Sequence, residues 1–541
     1  MKKGIKYTAY AMALSIAMSA TSCSDFLEVN PTGSLTEEQA FEKIEYIEPL
    51  VLGLYKSYRG CKTGRNGLMP YLGTDETQQG NYQLISSGDQ AGMDKYNGQL
   101  SPTSQQVAAI WNNRWPVVVS AAKVVYALSM TTEDPKRAGQ LLGEASFVRG
   151  LLMFELSMHW GKIPIVDIAR DEELGGKIQP LADVWEAIIN DFKKATETLP
   201  TSYSGEPQRA TVGAAWAMLG KAYMAAPEET GLRDFAKAKA CFEEVDKLGY
   251  ILLDDFADLY DYNKPNSKEA LFELQYTNKD PNYWQWDTGS RAVCDWFGGE
   301  GTYFGGWDFL VPTPFAYKTV EEGGIWEEGD TRSEISIRYN FDYYTNLYSG
   351  DEKVFEWVTP DMSKTTWTGT TDELDPHIKK FEDYRTDRFS GLGINSMYYT
   401  GKNHPFIRYA DVVLLHAECM NELGQTATAV NLVNDKIRTR AWAGKLPDEM
   451  KWKTSMSKEE FREKIMDERM RELCFEGWRR IDLVRTGMFV KLVKERNRWA
   501  KESGTIQEFH KLYPIPDMEI KTNEAFSPED QNPGYIQSTG K

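Results

Sequence analysis

Glu468, Glu472 and Glu476 recur every four residues, so a helix through them would set three carboxylates on one face. Two carboxyl groups about 5–10 Å apart are what glycoside hydrolysis needs, one to protonate the leaving oxygen and the other to attack the sugar or activate water. The neighbouring residues weigh against that chemistry. Arg469, Arg471, Arg479, Arg480 and Arg485 interleave with the acids, a pattern that favours a structural ion-pair network. No G-x-S-x-G elbow, P-loop or G-x-G-x-x-G follows a predicted strand, and neither CxxC nor HExxH occurs. His159, His377, His404, His416 and His510 are too scattered to suggest zinc. The chain is expected not to be an enzyme and to need no cofactor; the residues leave calcium binding open.

A second set of residues suits binding rather than turnover. A sugar ring has an apolar face that stacks on a flat aromatic side chain, while its hydroxyl edge calls for Asp, Asn, Gln or Arg. Tyr283-Trp284-Gln285-Trp286-Asp287 supplies both kinds of group within five positions, and Trp307-Asp308 repeats the pairing beyond Trp296. Earlier in the chain Asp75, Gln78, Asn81 and Tyr82 do the same, followed by Tyr96-Asn97. Aromatic residues make up 12% of the chain, and because large rings are usually mostly buried, most should pack loops onto helices and leave only a few for a ligand. The candidate ligand-binding residues are therefore Asp75, Tyr82, Tyr96, Asn97, Tyr283, Trp284, Trp286, Trp296 and Trp307.

The elements that must position these groups begin with an export segment. Lys2 and Lys3 precede an apolar run from Ala9 to Ala20, and small residues lead into Cys23, a lipid-acceptor position. Ser15 and Ser19 interrupt the run, which is shorter than the ~20 apolar residues needed to span a bilayer. An ordinary cleaved secretion signal is the alternative. With two or more acyl chains on Cys23, at about 0.8 kcal/mol per buried methylene, anchoring would be stable. Residues 1–22 are then a lipoprotein signal peptide, and 23–34, ending in the turn-rich Asn30-Pro31-Thr32-Gly33-Ser34, a tether.

The 541 residues exceed one simple core, a limit that helical repeats escape, and a net charge of −18 argues against nucleic acid as a partner. The five cysteines after Cys23 are unpaired in spacing, so a disulfide scaffold is not expected. Thr36-Glu37-Glu38-Gln39 has the form of a capping box before a first helix through Phe41, Ile44, Ile47, Leu52 and Tyr55. Gly64 to Thr103, punctuated by glycine, is expected to be a long loop region. Helical periodicity predicts segments over 111–128, 141–160 with a stop at Gly161, 184–199, 210–226, 408–423, 426–439 and 457–475. Trp216, Leu219, Gly220 and Tyr223 match the W-x2-L-G-x2-Y face of a tetratricopeptide repeat, and Ala238 and Phe242 its second helix. From about Tyr276 to Pro405 the periodicity fades, and the segment is too long for a simple connection.

The run Arg408-Tyr409-Ala410-Asp411-Val412-Val413-Leu414-Leu415-His416-Ala417-Glu418 closely resembles the SusD/RagB family of outer-membrane nutrient-binding lipoproteins. So do Glu468-Arg469, Arg471-Glu472-Leu473, Phe475-Glu476-Gly477, Arg479, Asp482-Leu483 and Arg485. Tyr513-Pro514-Ile515-Pro516 and Gln531-Asn532-Pro533-Gly534-Tyr535 fit the family's C-terminus, and Glu144-Ala145, Phe147, Arg149 and Cys23-Ser24-Asp25-Phe26-Leu27 its first half.

The resemblance covers essentially the whole mature chain. It implies a mainly α SusD-like fold of tetratricopeptide-like helix pairs with an irregular, loop-rich ligand region and short strands. Residues 35–275 would form an N-terminal helical region and 276–541 a C-terminal region with Trp-rich loops, in one compact body. It also implies a SusC-like TonB-dependent transporter as partner, on which the lipoprotein sits as a hinged lid, and an outer-membrane location facing the cell exterior. Ligand stacking would come from the segments around Asp75–Asn97 and Tyr283–Trp307, while the quoted motifs hold the fold. Oligosaccharide is the expected ligand; peptide capture of the RagB type and a structural surface adaptor are the alternatives. Ala121-Ala122-Lys123 departs from the Asn-containing turn usual in the family.

Overall fold

The computed structural model describes residues 41, 43–80, 88–168, 176–276, 309–339, 376–381 and 402–536. Cys23, the tether and the Thr36–Gln39 box lie outside them. The first described helix, α1 (Ile44–Gly60), buries Ile44, Ile47, Val51, Leu54, Tyr55 and Tyr58. This is the expected i, i+3/i+4 stripe, with Val51 and Leu54 in place of Leu52.

Helix α2 (Gln105–Met130) begins a turn and a half before the predicted start, and α3 (Pro135–Trp160) is buried along nearly its whole second half. Asp134 caps α3 through Arg137 N–H at 3.1 Å, with Pro135 in the first turn, where a missing N–H costs nothing. Gly161 ends it at φ 75°, a left-handed value open to glycine. Helix α4 (Leu181–Thr198) lies against α3 so closely that a Cβ on Gly150 would meet the Phe192 ring at 3.0 Å. Arg149 locks the two helices with a bidentate pair to Asp191 at 2.9 and 2.6 Å.

Helices α5 (Val212–Ala225) and α6 (Phe235–Asp246) form the tetratricopeptide-like pair. Gly220 permits their approach, since a Cβ there would lie 2.5 Å from the Phe242 ring. The chain then enters strand β2 (Ala270–Leu274), one of six short strands among the described residues. These pair antiparallel across long sequence separations: β1 (Thr77–Gln78) with β3 (Val311–Pro312), β2 with β6 (His404–Arg408), and β4 (Ile337–Arg338) with β5 (His377–Ile378).

Strand β6 feeds α7 (Tyr409–Glu422). After it, α8 (Thr426–Leu432) continues through a π-helical turn over Val433–Arg438. Ser457 caps α9 (Lys458–Leu473) by accepting from Glu460 N–H at 3.1 Å. The short helices α10 (Arg479–Arg485), α11 (Phe489–Arg496) and α12 (Arg498–Ser503) follow. The C-terminal motif closes over the end of α3: Tyr513 N–H donates to the His159 carbonyl at 2.7 Å, and Asn532 Nδ2 donates to the carbonyls of Trp160 and Tyr513.

The stretch from Gly64 to Thr103 corrects the expectation of a long loop. It holds short helices at Gly64–Leu68 and Gly92–Lys95, 3-10 turns and strand β1, and Thr74 to Gln79 are all buried. Among the described residues Cys61, Cys241, Cys419 and Cys474 are buried free thiols, and no helix is long and apolar enough to cross a membrane.

Candidate ligand-binding site

The three glutamates of the acidic face have no exposed surface on their side chains. Arg332 donates to Glu468 at 2.8 Å, to Glu472 at 2.9 Å and to Asp330 at 2.7 Å. Arg408 reaches Glu269 at 3.0 Å, Glu472 at 2.5 Å and Glu476 at 2.8 Å. Arg440 joins Glu269 to Glu472, while Arg438 and Arg471 hold Glu468 and Glu327, and Lys380 holds Glu476 at 2.9 Å. Asp330, Glu269, Glu327, Glu468, Glu472 and Glu476 thus face an equal number of cations, and the cluster is neutral overall.

Burial would raise these carboxyls, but the guanidinium groups outweigh it: Glu472 is held well below the usual carboxylate range and Glu476 at about 2. A carboxylate so held cannot deliver a proton near neutrality. The face is an ion-pair core, as its Arg-rich sequence predicts, although only Arg471 among the interleaved arginines pairs with it. Arg469 turns to Asp411 and Asp482, Arg479 to Asp75, and Arg485 to Glu418 and Asp482. Arg480 instead lies over the rings of Phe489 and Tyr513.

A platform built from the early segment lies beside this core. Asp75 accepts from Arg479 at 2.7 and 2.6 Å and from Arg496 at 3.2 Å. Its side chain is fully buried; burial pushes the carboxyl up, and the two arginines more than offset that and hold it low. Asp94 gathers the turn around it, accepting from the N–H groups of Gly73 and Gln79 at 3.0 Å each and from Asn497 Nδ2 at 3.1 Å. Trp499 Nε1 donates to the Gln79 carbonyl at 2.8 Å. Gly73 sits at φ 70°, where a Cβ would meet the Met93 carbonyl oxygen at 2.1 Å, so only glycine fits.

Two predicted ligand contacts are corrected here. Asp75 is committed to Arg479 and Arg496, and Tyr96, only 1% exposed, donates its hydroxyl to the Gly73 carbonyl with its ring edge-on to Phe489 at 5.8 Å. Both are structural. Asn97 is part-exposed at the end of the platform, its side-chain oxygen accepting from Gln99 N–H at 3.1 Å. Tyr82, Tyr283, Trp284, Trp286, Trp296 and Trp307 lie outside the described residues. Trp326, from the same Trp-rich stretch, is buried and donates to the Ala316 carbonyl at 2.8 Å.

The β1–β3 ladder joins the described flanks of the two segments that carry the remaining candidates. Thr77 pairs with Pro312 and Gln78 with Val311. Gly80, the last described residue before Asn81 and Tyr82, and Phe309, the first after Trp307, stand two residues beyond the Gln78–Val311 pair on either strand. Thr313 extends the joint, donating from its N–H to the Glu76 carbonyl at 2.9 Å and from its hydroxyl to the Asp75 carbonyl at 2.7 Å. Sequence reasoning missed Arg332, Asp94 and Asn497, most of whose partners are distant in the chain. Among the described residues no group of three or more His, Cys, Asp or Glu side chains could hold a metal ion.

Comparison with known proteins places this architecture. Residues 268–535 match a family model described as the SusD family, and residues 25–224 one described as starch-binding and associating with the outer membrane. SusD-like protein P2 of Formosa agariphila is 26% identical over a 546-residue alignment that covers 96% of this chain and 98% of that one. The starch-binding protein SusD of Bacteroides thetaiotaomicron is 26% identical over 370 residues, 61% of this chain and 62% of its own. Surface glycan-binding protein A from Bacteroides thetaiotaomicron, solved in complex with laminarihexaose, has the same fold, with a TM-score of 0.70 and 17% identity, covering 90% of this chain and 99% of that one. With family models matching in both halves and a relative aligned from end to end, the chain belongs to the SusD family.

Proposed function

We propose that this chain is a non-catalytic, lipid-anchored glycan-binding protein of the outer membrane. It captures oligosaccharide at the cell surface and delivers it to a SusC-like TonB-dependent transporter. The observation that carries the reading is the β1–β3 ladder, which brings the described flanks of the two segments rich in rings and polar side chains side by side. The starch-binding relative and the laminarihexaose complex of a protein with this fold support sugar as the ligand class. The neutral, closed ion-pair core supports binding without turnover.

Stacking plus hydroxyl hydrogen bonds gives weak, fast-exchanging binding, which suits hand-off to a pore. A lid held at the transporter raises the effective concentration of ligand there. Isothermal titration with laminarihexaose and maltohexaose tests the reading. Changing Trp284, Trp286 and Trp307 together to Ala should weaken binding about tenfold or more, as expected when stacked rings worth about 0.5–1.5 kcal/mol each are lost; unchanged heats would overturn the site. Binding of peptides and of no glycan would favour peptide capture instead. For the anchor, Cys23→Ala should release the chain from the membrane fraction.

A further inference from the structure

A cleft of about 740 Å³ opens between the segment after α6, residues 250–256, and the π-helical turn that continues α8. Its size falls within the roughly 300–1,000 Å³ of small-molecule sites. None of the described residues 71–80, 88–97 or 309–312 lines it, so it is separate from the described platform and the β1–β3 ladder.

Its walls combine fixed rings with unused polar groups. Tyr250 and Tyr409 are both half-buried, and their hydroxyls are already engaged, one with Thr211 at 3.1 Å and the other with Asp246 at 2.8 Å. The rings are therefore held in place before any ligand arrives. Asp254, Asp435 and Lys436 are exposed, and their side chains make no hydrogen bond or ion pair among the described residues. Arg440, 7% exposed, spends its terminal nitrogens on Glu269 and Glu472 and keeps a buried Nε–H without a partner. Such a donor is costly to leave unmet.

The charges narrow the ligand. Arg440 is neutralised by Glu269 and Glu472, so at the mouth Asp254, Asp255 and Asp435 outnumber Lys436, and an anionic ligand is repelled. A neutral polyhydroxylated molecule matches: its hydroxyls donate to the free carboxylates and accept from Lys436, while its apolar face meets the tyrosine rings. We infer that this cleft is a second sugar-binding subsite for neutral glycan chains, distinct from the Trp-rich site. The inference rests on the glycan-capture reading and deepens it, because a long polysaccharide touching two subsites on one body is retained by avidity.

Titration with laminarihexaose and maltohexaose tests it on the wild-type chain, on D254A/D435A, on W284A/W286A/W307A and on the five-fold combination. The aspartates are exposed and unpaired, so thermal melts of D254A/D435A should overlay the wild type. The tryptophan variant should keep a weak residual binding, and adding D254A/D435A should weaken it about tenfold or more. Wild-type binding that vanishes entirely with the three tryptophans, or residual binding that D254A/D435A leaves unchanged, would overturn the second subsite alone. Failure of the wild type to bind either sugar would overturn it together with the capture reading.

Discussion

Arg479 closes two parallel hydrogen bonds on Asp75, Nε to Oδ1 at 2.7 Å and Nη2 to Oδ2 at 2.6 Å, across 404 positions of sequence. The planar fork fits the carboxylate edge to edge, a match that a lysine ammonium cannot reproduce. The same arginine donates from Nη1 to the Met466 carbonyl of α9 at 2.6 Å, so one side chain joins the early platform to the helix carrying the ion-pair core. Family resemblance marks Arg479 as part of a fold-holding motif, and this contact gives the physical reason.

Removing that side chain strands a buried carboxylate. Arg479→Ala should cost about 3–5 kcal/mol of unfolding free energy, the usual penalty for breaking a buried pair. Arg479→Lys should recover only part of it. Urea unfolding followed by tryptophan fluorescence measures both, and a loss below about 1 kcal/mol for Arg479→Ala would show that Arg496 alone satisfies Asp75.

The tetratricopeptide-like pair makes a separate demand. A methyl on Gly220 would sit 2.5 Å from the Phe242 ring, and the ring cannot retreat because it is fully buried. Gly220→Ala should destabilise by about 1–3 kcal/mol through overpacking. Phe242→Leu placed in the same chain should relieve part of that cost, so a double-mutant cycle should show a coupling of at least about 0.5 kcal/mol. Strict additivity would place the strain elsewhere.

Helices set by local pattern were legible in the sequence. Val184, Ile188, Ile189, Phe192 and Ala195 form one buried stripe on α4, and Gly161 stops α3 where its left-handed φ requires glycine. The ion-pair role of the Glu468 face was legible from its arginines, but not its partners. Arg332 and Arg408 lie 140 and 64 residues from Glu472, and no spacing rule reaches that far. The stretch after Gly64 looked like loop because glycines and polar side chains suggest solvent. It is buried because Asp94, Asn497 and Trp499 supply the hydrogen bonds that water would otherwise make. The same distant partners turned Asp75 from a candidate ligand contact into scaffold.

Glu76 titrates oppositely to its neighbour. Burial pushes its carboxyl up to about 8, against the pull of Arg479 and of the Phe475 N–H that donates to it at 2.8 Å. A folded-state value above the free value of 4.5 means that the native state binds more protons between them. Its contribution is complete below about 4.5 and is lost as pH rises through 8. Glu76→Gln keeps an acceptor for Phe475 and cannot ionise, so its stability relative to wild type should improve from pH 5 to about pH 8 and level off above it. Urea midpoints at each pH would reveal a flat difference if Glu76 were ionised throughout.

On the acid side two groups act in successive windows. His404 lies between Phe381 and Phe406 with neither ring nitrogen hydrogen-bonded, and burial lowers it from 6.5 to about 4. The unfolded chain therefore binds the extra proton between those values, and stability falls as pH drops through that range. Glu476, held at about 2 against burial by Arg408 and Lys380, contributes stability that is present above about 4.5 and lost as pH falls from there toward 2. His404→Phe should remove its share of the loss between pH 6.5 and 4, leaving the steeper loss below 4.5 intact. Glu476→Gln should instead lower stability at pH 7, by about 3–5 kcal/mol as for any broken buried pair, and flatten the curve below 4.5. If His404→Phe merely shifted the whole profile in parallel, the imidazole would already share its proton equally between the folded and unfolded chains.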